Sequence, residues 1–496
     1  MPRRGRLIAF ACAFVLFLAG ASVAGARPRP SLVAPVLEGA PVGAPVAAGF
    51  LGFSMEFYTV HEYAGSDPDA VNPVLVQLIR NLAPGQTPVL RIGGDSTDQS
   101  WWPVPGVLPP RGIDYPLTQG WVRTAAALAR ALDAKLIVGV NLMLNRPALT
   151  AVEARALLAG LGGSLAAFEI GNEGDLYGTL PWYLTVRGTT VYGRPRSYGV
   201  ARFLKDVSGV RGALPAAPIA GPAFANLPWM AAGLSPFMAA TGRLSMVTVH
   251  RYPLRGCNVP TSSPSYPTVA NLLSDYAQTN IALGVAPYVA EAHARGLPFR
   301  VDEINSVACA GTHGVSDTFA SALWMLDTLF ELASVGVDGV NVHTLAGARY
   351  APFSFTQTAA GWQAAVHPEY YGMLMFAQAA PAGSRLLPIT GVPDGPVKVW
   401  ATLAPDGTER VVLINEDVTN GQPVVLQAPG SSAAVEELTA PSAVAATGVT
   451  LGGQSFGDAT TTGVLPAPAP TGTVYPVLGL YSLTLPPASA TLLTLR

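Results

Sequence analysis

The chain is patterned in short blocks. Eight apolar, β-branched runs recur from residue 50 onward: FLGFSMEF (50–57), PVLRIGG (88–94), KLIVGVNL (135–142), AAFEIGNE (166–173), APIAGPAF (217–224), SMVTVHRY (245–252), PFRVDEIN (298–305) and VDGVNVHT (337–344). Each has the length of a strand. Between them, the stretches 71–82, 120–134, 150–161, 280–296 and 316–336 place apolar residues three and four apart, which is the spacing of one helix face. Strand alternating with helix predicts βα units and a parallel sheet. Eight such units over roughly 300 residues predict an α/β fold closed as a (β/α)8 barrel rather than an open sheet. The uneven spacing of the runs predicts long loops after the fourth and sixth strands.

After about residue 375 the helical period disappears. VKVWATLA (397–404), TERVVLINE (408–416), QPVVLQA (422–428), GVTLGG (448–453) and SATLLTLR (489–496) are short alternating runs between Gly, Pro and Asn turns. That is the pattern of an antiparallel β-sandwich. PSLVAPVLEG (30–39) is placed to lend it a strand, and LPAPAPTG (465–472) reads as a Pro-rich loop. No internal repeat of fixed short period is present. The expected division is a signal segment 1–26, an N-terminal segment 27–45, a (β/α)8 TIM barrel 46–374 and a C-terminal β-sandwich 375–496.

Composition sharpens this picture in two places. The chain is 50% hydrophobic and 12% charged, with net charge −2; no basic cluster follows the first thirty residues, so no nucleic-acid partner is expected. The N-terminus joins a basic MPRRGR to an apolar LIAFACAFVLFLAG and a small-residue Ala24-Gly25-Ala26. This is a secretory signal pattern, with Arg3-Arg4 hinting at a twin-arginine variant. No later stretch is long and apolar enough to span a membrane. The expected location is extracellular or periplasmic. Cys12 leaves with the signal, and Cys257 and Cys309 remain. An even pair in an exported chain predicts a disulfide. It closes a loop of roughly fifty residues and stabilises by about 3–4 kcal/mol on the chain-entropy model.

In a (β/α)8 barrel the chemistry lies at the C-terminal ends of the strands. Here those ends are polar. The first strand ends at Glu56, the second in Arg91 and Gly93-Gly94-Asp95, and the fourth in Asn172-Glu173. The sixth ends in His250-Arg251-Tyr252, the seventh at Glu303, and the eighth in His343-Thr344 with Tyr350 soon after. Glu173 and Glu303 are the candidate pair. Two carboxylates across a cleft are the equipment for glycosidic bond hydrolysis, one protonated to donate to the leaving oxygen and one ionised to attack. Arg91 is placed to hold Glu303 ionised, while burial and its anionic partner raise Glu173. Glu169 shares strand parity with Glu173 and is expected to brace the barrel interior or an arginine. His250 and His343 read as buried barrel histidines. The six histidines show no metal-ligand spacing, so no metal or other cofactor is expected. Phe53, Trp101, Trp102, Trp182, Tyr183 and Trp229 are candidate sugar platforms or core residues.

At this point a resemblance becomes specific. A strand-four Asn-Glu and a strand-seven Glu on a (β/α)8 barrel look like the large retaining clan of glycoside hydrolases. Within it, FSMEF, LRIGGDSTD, FEIGNEGD, VTVHRYP, VDEINSVACAGTHGVSDTFASALWMLD and the trailing β-domain resemble glycoside hydrolase family 79, which holds β-glucuronidases and heparanase-type endo-β-glucuronidases. The resemblance implies Glu173 as acid/base, Glu303 as nucleophile and Asn172 on the sugar 2-hydroxyl. It implies Glu56 and Asp95 on the far hydroxyls, Tyr252 on the nucleophile and Tyr350 near the uronate carboxylate. Arg91 supports the site.

The chain departs from that family after the nucleophile. Many members carry Tyr-Gly-Gly there, whereas this chain has SVACAGTHG (306–314), with Ala308 and Cys309 where tyrosine and glycine are expected. The position of Cys309 suggests that a bond to Cys257 pins the loops after strands six and seven. His313, Arg251 and Arg349 are the substitute carboxylate partners. The expected activity is a secreted, exo-acting, retaining β-glucuronidase. The alternatives are a retaining β-glycosidase for a neutral or modified sugar, an endo-β-glucuronidase and a non-catalytic carbohydrate-binding protein. With 29 Lys+Arg against 31 Asp+Glu, no basic excess favours an anionic polysaccharide.

Overall fold

The structure is a computed structural model that describes residues 32–466 and 472–496. The signal segment 1–26 and most of the Pro-rich loop lie outside the described residues. The eight apolar runs form the strands β1 (Leu51–Glu56), β2 (Val89–Gly93), β3 (Lys135–Val140), β4 (Leu165–Ile170), β5 (Ile219–Phe224), β6 (Leu244–Arg251), β7 (Phe299–Ile304) and β8 (Gly339–Thr344). They pair in parallel, each with its neighbour in sequence, and β8 returns to β1 to close the barrel. Eight helices follow them in turn: α1 (Pro73–Leu82), α2 (Gln119–Leu132), α3 (Pro147–Leu161), α4 (Val200–Ala213), α5 (Leu227–Ala240), α6 (Thr279–His293), α7 (Phe319–Ser334) and α8 (Pro368–Ala379).

Local chemistry sets the helix starts. Asn72 caps α1 by accepting from the N–H groups of Val74 and Leu75, and Pro73 follows it. Proline suits the first turn, because its missing N–H has no partner to lose there. Thr118 caps α2 through the N–H of Trp121. Of these eight, α4, α5 and α8 escape the sequence pattern, as do the short helices Phe57–Ala64 and Val269–Leu272. Long connections follow β4 and β6, as expected, the first carrying the hairpin Pro181–Leu184 with Thr190–Tyr192. Long connections also follow β2 and β8, the latter folding as the hairpin Phe353–Thr358 with Gly361–Val366.

The C-terminal strands are β9 (Val397–Leu403), β10 (Glu409–Asn415), β11 (Gln422–Gln427), β12 (Ala433–Thr439), β13 (Leu480–Leu485) and β14 (Ser489–Leu495). One antiparallel sheet runs β9-β10-β14-β12. In the other, β11 pairs with β13 and with the N-terminal Val36–Leu37, which also pairs with Ile389–Thr390. The first sheet shows the two-residue period of a strand. Val411, Leu413 and Leu493 face the second sheet and fill the sandwich core. Val412, Ile414 and Leu492 face the other way, in one continuous core with α7 and α8 of the barrel. Trp400 of β9 stacks on Phe330 of α7 at 5.5 Å. The sandwich thus braces the side of the barrel, and its loop 443–449 reaches the segments after β7 and β8.

Candidate active site

The strand ends converge on Arg91 of β2, which is fully buried. Its Nε donates to Glu169 Oε2 at 2.7 Å. Its two terminal nitrogens donate to Glu303 Oε2 at 2.6 Å, Ser54 Oγ at 3.0 Å and Asn172 Oδ1 at 2.9 Å. Asp302 Oδ2 lies 3.4 Å from Nε. One guanidinium therefore binds the ends of β1, β2, β4 and β7. A planar fork of five donors can do this and a lysine cannot.

Glu173 and Glu303 stand together. Together with His250, their ligand atoms lie within 4.8 Å of one another. The two carboxyls are in opposite electrostatic states. Burial works against charge on Glu303, but His343, His250, Arg91 and the Tyr252 hydroxyl outweigh it and hold the group well below the usual carboxylate range. Burial lowers His250 to about 4, whereas Glu303 and Glu56 raise His343 against its burial, so the positive charge beside Glu303 comes from His343 and Arg91. The Tyr252 hydroxyl donates to Glu303 Oε1 at 2.9 Å. Glu173 is pushed well above the usual range by burial, then by Glu303, Asp95 and Asp175. Its backbone is left-handed, with φ 48°, and its N–H donates to Ala223 O at 3.1 Å. That turn lifts the side chain off β4 and toward β7.

The other expected residues gather around this pair. Asn172 Nδ2 donates to Asp95 Oδ1 at 3.2 Å, and its backbone N–H to Asp98 Oδ2 at 3.1 Å. Glu56 accepts from the N–H groups of Asp95 and Ser96 at 3.1 and 2.8 Å, and from the Ser96 hydroxyl. Gly94 makes this approach possible: its φ is +72°, and a Cβ there would meet Glu56 Oε1 at 2.2 Å. Asp95 opens to solvent. Burial below the rim, with Glu56 and Glu303 nearby, pushes it up, and water reaching its carboxyl works against that rise. The Tyr350 ring lies 6.3 Å from that of Tyr252. Cys257 and Cys309 are joined, beside a parallel pairing of Leu254–Arg255 with Val307–Ala308, so the loops after β6 and β7 are pinned together. Cys309, Ala310 and Gly311 in succession have φ of 67, 64 and 82°.

Some candidates fall elsewhere. His313 pairs with Asp317 at 2.7 Å on the surface. Arg251 donates to Ala225 O at 3.2 Å. Arg349 lines a cleft of about 650 Å³, which lies against the loop 446–449 and contains neither Glu173 nor Glu303. A smaller cleft of about 70 Å³ does contain Glu173, with Asp95, Asn172, Tyr177, Leu180 and Trp182 on its walls. Trp182 is the member of the aromatic set found there. Phe53 and Trp101 are buried in the core, and Trp229 packs edge-on against Phe224.

Sequence reasoning missed Asp98 and Asp302, and read His250 only as a buried barrel histidine, which it is. Asp98 accepts from the N–H groups of Leu142 and Met143 and from the Tyr177 hydroxyl at 2.5 Å, tying the β2, β3 and β4 loops to Asn172. His250 lies with Nδ1 3.0 Å from Glu173 Oε1, and Asp302 lies against Arg91. The DSTD run after Gly94 was visible, but nothing in it singled out Asp98. Glu169, His250 and Asp302 come close enough to hold an ion, but the Arg91 guanidinium already fills the cationic position between the two acids.

No protein-family model matches the chain. A β-glucuronidase of Neurospora crassa is 26% identical over 435 residues, covering 75% of this chain and 72% of the relative. A β-glucuronidase of Aspergillus niger is 24% identical over 422 residues, with the same coverage. A 4-O-α-L-rhamnosyl-β-D-glucuronidase from Fusarium oxysporum shares the fold with TM-score 0.69 at 21% identity, over 93% of this chain and all of that one. A family 51 arabinofuranosidase from Xanthomonas axonopodis follows with TM-score 0.63 at 16% identity, over 94% of this chain and all of that one.

Proposed function

We propose that the chain is a secreted, exo-acting, retaining β-glucuronidase of the family 79 type. The observation that carries this reading is the pair Glu173 and Glu303, with oxygens within 4.8 Å of each other and opposite ionisation. Retaining enzymes place the two carboxyls about 5–5.5 Å apart, leaving no room for a water between them and the sugar. Glu303 attacks the anomeric carbon while Glu173 gives its proton to the departing oxygen. A glycosyl–Glu303 ester forms and the aglycone leaves as an alcohol. Glu173, now a carboxylate, takes a proton from water. The water oxygen bonds to the anomeric carbon and Glu303 is released. Asn172, Asp95 and Glu56 supply the polar floor that a sugar ring's hydroxyls require. The relatives named as β-glucuronidases support a uronate substrate, and the N-terminal pattern supports export.

A second reading keeps the reaction and changes the sugar. It is favoured by one observation: Ala308 and Cys309 stand where a tyrosine and a glycine would grip the carboxylate. Against it stand the two relatives named as β-glucuronidases. Rates on p-nitrophenyl β-glucuronide beside matched neutral glycosides separate the two, and a faster neutral glycoside would exclude the glucuronide. Glu303→Gln should lower kcat by about four orders of magnitude or more while the fold is kept. A variant with near-normal turnover would overturn the assignment.

A further inference from the structure

We propose that His250 and Asp302 form a positioning chain for the acid/base: Asp302 holds the His250 ring as its Nε2–H tautomer, so that a bare Nδ1 faces the Glu173 carboxyl. The inference rests on the retaining reading, but it concerns residues that the reaction scheme does not use. The His250 side chain is fully buried, with Nδ1 3.0 Å from Glu173 Oε1 and Nε2 3.6 Å from Asp302 Oδ1. Among the described residues, Nε2 and both Asp302 oxygens have no regular hydrogen-bond partner. A buried polar atom without a partner is costly, so this short gap between a ring nitrogen and a carboxyl is where their hydrogen bond belongs.

Charge decides which way that bond runs. His250 is faced by Glu169 and Glu173 from β4, Asp302 and Glu303 from β7, Arg91 from β2 and His343 from β8. Burial keeps the ring neutral, with Glu303 and Glu169 pulling toward charge and Arg91 and His343 against it. A neutral ring has one N–H to place. Three acids, Glu169, Asp302 and Glu303, crowd one guanidinium, and like charges in a dry site share protons. Glu169 is anchored as the anion by Arg91 and by the Thr248 hydroxyl at 2.7 Å. Asp302 therefore carries the proton, directed toward the Glu169 carboxylate, which lies within 4.8 Å of it. Its other oxygen is left as an acceptor, facing Nε2. The ring hydrogen sits on Nε2, and Nδ1 is a lone pair.

That lone pair does two things for Glu173. It accepts from the protonated acid before cleavage. Once the proton has gone to the leaving oxygen, it repels the carboxylate and strengthens it as the base for water. His250 touches no reacting atom, so its role is positional.

Asp302→Asn mimics the neutral, protonated Asp. Its amide N–H donates to Glu169 and its carbonyl accepts from Nε2–H. Asp302→Ala frees the ring to place its hydrogen on Nδ1 and donate to the Glu173 carboxylate, which favours the ionised form. The first test is ¹⁵N NMR of the whole protein labelled at histidine, with His250 assigned by its loss in His250→Gln. A neutral Nε2–H ring is expected; an Nδ1–H ring or an imidazolium overturns the proposal. The second test is the pH profile of kcat/KM on p-nitrophenyl β-glucuronide. Asp302→Ala should move the basic limb down by about one pH unit, the worth of one hydrogen bond, and Asp302→Asn should return it to the wild-type position. An unmoved limb in Asp302→Ala, or an equal shift in both variants, overturns the chain. If Asp302→Ala does not fold, the wild-type and Asp302→Asn ring spectra decide. If no glucuronide is cleaved, the functional reading fails while the tautomer is still read.

Discussion

Arg91 and Phe330 are both fully buried, and they sit in regions built on opposite physics. Arg91 lies at the barrel mouth among Glu169, Asp302 and Glu303. Phe330 lies in the seam between barrel and sandwich, edge-on to Phe376 at 4.8 Å and stacked on Trp400. At the mouth, burial removes hydration from several charges, and pairing only offsets that loss. In the seam, burial of the stacked rings removes apolar surface from water and is favourable. The mouth is a polarised cavity with two carboxyls in different proton states. The seam supplies stability that lets such a cavity persist.

Breaking each region separately should expose the difference. Arg91→Met strips the paired guanidinium from three acids. We expect a loss of about 3–5 kcal/mol in stability, with kcat/KM falling roughly a hundred- to a thousandfold. Urea unfolding and kinetics on the same preparation check both. Phe330→Ala should cost a similar 3–5 kcal/mol through its cavity, but leave kcat/KM of the folded protein near wild type. Equal activity losses in the two variants would mean that the seam reaches the site after all.

Tyr252→Phe narrows the question to one bond. The hydroxyl donates to Glu303 at 2.9 Å, and hydrogen bonds to charged groups contribute about 1.5–3 kcal/mol. We expect kcat to fall roughly tenfold to a hundredfold, with thermal stability nearly unchanged. The bond favours the ionised form, so its loss raises Glu303 and moves the acidic limb of the pH–rate profile upward. A limb that stays in place would show that the neighbouring charges, His343 and Arg91, set the ionisation without this bond.

The barrel was legible in sequence because its strands are short, apolar and ended by polar residues. The helices were legible where one face alone is buried. In α8, Tyr370, Tyr371, Gly372, Met373, Leu374, Met375 and Phe376 are all buried, because barrel and sandwich cover it on both sides. A helix wrapped all round shows no period. In α5, Pro236 and Gly233 interrupt the pattern. Strand β12 was hidden by Glu436 and Glu437, which interrupt its apolar run. At the site, the strand-end residues could be named from sequence, whereas the place of Asp302 could not. Strict alternation turns Asp302 away from whatever Glu303 faces. The register shift between Val301 and Ile304 breaks that alternation, and both acids reach Arg91. A second shift between Val249 and His250 lies beside the ring that meets Glu173.

The smallest change tests whether the seam is as dry as its rings suggest. Trp400 Nε1 donates to Asp327 Oδ1 at 2.7 Å. Burial and Glu331 push Asp327 up to about 7, and that N–H pulls against the rise. Trp400→Phe keeps the stack on Phe330 and removes the donor. An acid raised on folding binds its proton more tightly in the folded state. Its cost to stability therefore appears as pH rises above the unfolded value and is complete above the folded one. Without the indole N–H the folded value climbs further. The variant should thus be nearly as stable as wild type at pH 4 and about 1 kcal/mol less stable at pH 8. A deficit that is the same at both pH values would mean that Asp327 stays protonated throughout, and that the seam holds this acid as a neutral hydrogen-bonding group.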